Sequence, residues 1–79
     1  MNQERIITLK EINEKVGSCD IIGLNPGNNY IQCIAMEVTE AERQFLVKEL
    51  NCFEQPFKDG LKVRFYLPVN VKIVGTVKN

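Results

Sequence analysis

The sequence predicts a mainly β fold: a small five-stranded barrel or sandwich with one short helix, in a single domain over residues 1–79. Three observations predict it. Leu61 to Leu67 alternates apolar and polar without a break, clear turn signals separate β-branched runs, and those runs are short and closely spaced. The competing arrangement is α+β, with a full helix over 40–50 packed on an antiparallel sheet.

From the amino end, Arg5 to Leu9 reads as a short strand because Ile6, Ile7 and Thr8 are β-branched. Thr8 and Glu11 have the spacing of a capping box, so a brief helical turn follows and Gly17 suits its end. Ser18 to Leu24 is the next strand. Asn25-Pro26-Gly27-Asn28-Asn29 then meets the type II turn requirement, since proline presets φ and glycine accepts a positive value. A hairpin partner follows in Tyr30 to Val38, apolar on both parities: Tyr30, Ile34, Met36 and Val38 on one face, Ile31, Cys33 and Ala35 on the other. Such a strand is expected at the centre of a sheet, with Cys33 as a small buried hydrophobe.

Thr39 to Asn51 gives conflicting signals. Thr39 and Glu42 repeat the capping-box spacing among good helix formers. Phe45, Leu46, Val47 and Leu50 nevertheless spread over more than half a helical wheel, so the expectation is a helical turn over 39–44 followed by a strand. Cys52 to Gly60 is a loop containing Pro56 and closing on Asp59-Gly60. In the strand that follows, Leu61, Val63, Phe65 and Leu67 point inward and Lys62, Arg64 and Tyr66 outward. Pro68 kinks the chain before a last strand, Val71 to Val77, in which Gly75 suggests a bulge.

Ten basic and ten acidic residues cancel, so no global field draws the chain to phosphate backbones, and nucleic acid is a disfavoured partner. Near-zero net charge leaves self-association open beside a protein partner. No apolar run approaches the roughly 20 residues of a membrane span. The amino terminus lacks signal-peptide features, and three cysteines disfavour a secreted disulfide framework. The chain as given is expected in the cytoplasm, or in the cell envelope if a leader was removed.

The segment Glu49-Leu50-Asn51, a short loop with Pro56 and Phe57, and Lys58-Asp59-Gly60-Leu61-Lys62-Val63-Arg64-Phe65 resembles small OB-fold-like β-barrel proteins of Bacteroidetes, many of them predicted lipoproteins. The resemblance covers about 20 residues, carries no lipobox, and departs from the family pattern at Cys52-Phe53. It implies an OB-like form for the barrel and carries over no catalytic residue.

Catalysis is not expected. Without histidine the commonest general base is absent, and the cysteines contain no CxxC spacing, so neither metal nor cofactor is expected. Cys52, in a loop near Lys58, is the best candidate for a reactive thiol. Glu37, Glu40 and Glu42 read as a solvated acidic rim. The function expected is non-enzymatic binding through protein contact, by edge-strand pairing or with Phe53 and Phe57 as apolar anchors, although either ring could plug a barrel end. The alternative is weak single-stranded nucleic-acid binding on the Lys62/Arg64/Tyr66 strand face, which Tyr30 or Lys72 could extend.

Overall fold

The computed structural model describes residues 4–24 and 29–75. Strand β1 (Arg5–Thr8) leads into helix α1 (Leu9–Lys15), followed by β2 (Cys19–Gly23), β3 (Tyr30–Ile34), α2 (Glu40–Gln44), a π-helical segment (Phe45–Glu49), β4 (Phe53–Pro56), β5 (Lys62–Tyr66) and β6 (Val71–Val74). The β-rich character is as expected, but six strands form two sheets. One is antiparallel in the order β2-β3-β5-β4, and the other is a parallel β1-β6 pair. Among the described residues the strands do not close into a barrel.

The helix starts follow their sequence signals. Thr8 caps α1 by accepting from the Glu11 amide, and Thr39 and Glu42 form the full reciprocal capping box at α2. The segment after Gln44 corrects the expectation of a strand: the chain stays helical to Glu49, as in the α+β alternative. At about 100° per residue an α-helix would set Phe45 and Leu50 about 140° apart. The Leu50 amide instead bonds to the Phe45 carbonyl, a five-residue step that brings these two nearer one line. Asn51 then turns left-handed (φ 58°) and the Cys52 amide returns to the Leu46 carbonyl, ending the helix.

Phe45, Leu46 and Leu50 share one core with Ile7, Ile12 and Val16 from the amino-terminal elements and Ile31, Cys33, Val63 and Phe65 from the sheet. The helical segments thus cover one face of the four-stranded sheet. Strand β3 lies between β2 and β5, the central position expected, but it ends at Ile34. A turn over 35–37 follows and leaves Met36 exposed, not on a strand face.

Two further corrections concern the carboxy-terminal half. Phe53–Pro56 is an edge strand, not loop. Pro56 is tolerated because an edge strand needs donors on one side only. Leu61 is solvent-exposed, not core: it sits in the hairpin turn where Gly60 has φ 75° and the Asp59 carboxylate accepts from the Leu61 amide. Val63, Phe65 and Leu67 are buried as expected. Residues 25–28 of the expected Asn-Pro-Gly turn, and Thr76 and Val77 of the last strand, lie outside the described residues. Gly75 (φ 113°) bends the chain directly after β6.

Candidate functional site on the outer sheet face

The alternation of β5 directs Lys62, Arg64 and Tyr66 away from the helices, and strand register decides what joins them. Tyr66 lies opposite Tyr30 of β3 and Phe53 of β4, so three aromatic residues form one row across three strands. Arg64 lies in the next row between Gln32 and Gln55. Phe57, just beyond β4, bonds its amide to the Lys62 carbonyl and stays on the same face. The structure therefore brings together all five expected binding residues, Lys62, Arg64, Tyr66, Phe53 and Phe57.

Arg64 organises this face. Its guanidinium lies 4.2 Å from the Tyr30 ring centre and 5.2 Å from that of Phe57. Its Nε donates to Gln32 Oε1 at 2.8 Å and its Nη1 to the Tyr66 hydroxyl at 3.1 Å. The Tyr66 hydrogen bond, with electrostatic help from Tyr30 and Tyr66, raises the Arg64 pKa against an opposing desolvation effect. Tyr30 and Tyr66 meet at 5.6 Å between ring centres with a tilt of 58°.

The neighbouring strand completes the arrangement. Gly23 lies opposite Tyr30, and a Cβ there would overlap its ring, so glycine lets the ring lie down across β2. An irregularity between Cys19 and Ile21 sets Asp20 in reach of Lys62 and Gln32. The Lys62 hydrogen bond is the main reason the Asp20 pKa is lowered. Lys62 and Asp20 offset each other, whereas Arg64 has no carboxylate partner among the described residues.

Phe53 is 64% exposed, which removes the reading of this ring as a plug. Phe57 is half-buried against Arg64. Lys72, by contrast, belongs to β6 and pairs with Glu4, away from this face.

Sequence reasoning missed Gln32, Gly23 and Asp20. Gln32 is buried on the face opposite the helical segments, in the row of Arg64. The available signal was one amide residue at the centre of the apolar run YIQCI, where a buried polar group needs partners.

Two other expectations are corrected. Cys52 is buried, and its thiol pKa is pushed up to about 12, chiefly by desolvation, so it is not a poised nucleophile. Glu42 is not a solvated rim carboxylate. It accepts from the Thr39 and Gly17 amides and the Ser18 hydroxyl, each at 2.9 Å, and joins α2 to the α1–β2 turn. Its pKa is lowered most by the Thr39 hydrogen bond.

Among the described residues no cluster of three or more Cys, Asp or Glu side chains is placed to hold a metal, and no helix is long and apolar enough to cross a membrane. No family model, curated protein or solved structure matches the chain.

Proposed function

We propose that the chain is a non-enzymatic binding module that engages a protein partner through the outer sheet face. The observation that carries this reading is the Phe53–Tyr66–Tyr30 row beside Arg64, a guanidinium without a carboxylate partner among the described residues. Aromatic residues and arginine are the side chains enriched in the energetic centres of protein interfaces. Tyr30, Tyr66 and Arg64 are already fixed by mutual contacts, so little side-chain freedom remains to be lost on association. Placement in the cytoplasm accompanies this proposal. Kinship with OB-type barrels is a proposal supported by the Glu49–Phe65 segment and not by the open sheet.

A photo-crosslinking amino acid at position 53 tests the reading in extract of the source cells. A discrete protein adduct is expected from position 53, competed by unmodified chain and absent when the same group replaces Met36, exposed in the turn after β3. No adduct, or the same adduct from both positions, rejects the outer face as the contact surface.

A second reading, single-strand nucleic-acid binding, is favoured by the same aromatic row, because base stacking tolerates any sequence. It is opposed by zero net charge and by the pairing of Lys62 with Asp20. Labelled oligo-dT and oligo-U titrated at about 50 and about 200 mM salt decide it. Binding that weakens steeply with salt and is lost in Phe53→Ala establishes it, and none at micromolar protein ends it.

A further inference from the structure

We propose that Cys19 and Cys33 form a cross-strand thiol pair that a small-molecule disulfide converts into an intramolecular disulfide. This inference is independent of the outer-face reading, because it concerns the opposite side of β2 and β3.

Cys19 is the register partner of Cys33 in the antiparallel β2–β3 pairing, at the end of the ladder beyond the irregularity at Asp20. The Leu67 amide bonds to the Asn29 carbonyl and the Ala35 amide to the Leu61 carbonyl, so residues of that parity on β3 direct their backbone groups to β5. Cys33 shares the parity, and the Cys19 amide bonds to Val16. The two cysteines are therefore a non-hydrogen-bonded pair. In a regular ladder such pairs bring Cα atoms to about 4.5 Å with side chains close, at the short end of the span a disulfide bridges, and the adjoining irregularity leaves room for the wider spacing most disulfides adopt.

Both side chains are on the core side. Cys33 is fully buried, whereas Cys19 is half-buried and packs at the core's margin. Cys19 is thus the entry point. Its thiol now donates to the Ile21 carbonyl at 3.6 Å, and rotation about χ1 would redirect it across the strand. Cys52 shares the core with Cys33 and its thiol feels the charge of Cys33, but it lies before β4 and occupies no register position opposite Cys33.

The exchange proceeds in two displacements. Cys19 thiolate attacks one sulfur of the oxidant, forming a mixed disulfide and releasing one thiolate. Cys33 thiolate then attacks the Cys19 sulfur and expels the second. The protein loses two protons and two electrons, and the oxidant becomes two thiols. Desolvation raises both pKa values, with Asp20 adding to the effect at Cys19, and Cys33 reaches about 11. The reaction accordingly accelerates with pH, by about tenfold per unit in the neutral range.

Oxidised glutathione applied to the folded full chain tests the proposal, with alkylation of remaining thiols and chymotryptic digestion. Cleavage after Leu24 or Tyr30 separates the cysteines, so a disulfide appears as two joined peptides. The expected product links Cys19 to Cys33, leaves Cys52 alkylated only after denaturation, persists in Cys52→Ser, and is lost in Cys19→Ser. It shifts the unfolding equilibrium by about 100-fold toward the folded state. A stable glutathione adduct on Cys19, a Cys33–Cys52 link, a covalent dimer, or no oxidation at mildly alkaline pH each overturns it.

Discussion

The two faces of the four-stranded sheet are built from the same strands and are stabilised in different ways. On the inner face Ile31, Cys33, Val63 and Phe65 are shielded by helical segments that contribute Phe45, Leu46 and Leu50. Among the described residues no helix lies above the outer face, yet Gln32 is buried there beneath neighbouring side chains. Tyr30 over Gly23, Arg64 over Tyr30 and Lys62 against Asp20 form its cover. Burial on one face depends on apolar area; on the other it depends on matched polar and π contacts whose geometry is specific. A surface of the second kind can offer fixed aromatic rings to a partner without surrendering its own polar satisfaction.

Substitutions ordered by expected effect test that contrast. Phe65→Ala removes the largest fully buried side chain and should cost about 3–5 kcal/mol by urea unfolding. A loss below about 1 kcal/mol would mean that the inner face is not the principal core.

Glu42→Gln is next, at about 1–2 kcal/mol, because it weakens the carboxylate that holds the α2 start to the α1–β2 turn. The pH dependence has a defined sign. Glu42 is more acidic in the folded state, so its contribution is complete above the unfolded value of about 4.3 and is lost as pH falls through the lower folded value. Wild type should therefore lose stability in that acid window more steeply than Glu42→Gln; equal slopes would remove Glu42 from the linkage.

Gly23→Ala should cost about 1–2 kcal/mol by displacing the Tyr30 ring, with altered tyrosine fluorescence and little change in the helical signal. An unchanged tyrosine environment would show that Tyr30 does not lie over Gly23. Phe53→Ala is the smallest perturbation of stability, within about 0.5 kcal/mol for so exposed a ring, while removing most of the position's contribution to partner binding. Intact binding with Phe53 truncated would separate the aromatic row from recognition.

Much of the inner face was legible because alternation and burial coincide along β5 at Val63, Phe65 and Leu67, and the Asp59-Gly60 turn sets their phase. Leu61 broke the rule because it belongs to that turn, where backbone geometry outranks hydrophobicity. The helical segment to Glu49 was obscured by a five-residue hydrogen-bond step that a uniform helical wheel does not represent. Strand β4 was hidden by Pro56, a breaker inside a sheet but compatible with its edge. The row Lys62, Arg64, Tyr66 was visible on one strand. Its partners were not, because Tyr30, Gln32, Gly23 and Asp20 reach it only through cross-strand register.

The β1–β6 pairing has a kinetic consequence. Arg5 is matched to Val71 and Thr8 to Val74, so this two-stranded parallel ladder spans nearly the whole described chain. During synthesis β1 must wait for β6, whereas the β4–β5 hairpin can form as soon as its two strands have emerged. Ile7 is fully buried in the finished core but lacks its strand partner Ile73 through most of translation. The hairpin should therefore precede the ladder, with closure of that long loop as the slow step and the nascent amino-terminal strand as the segment most exposed to misassembly.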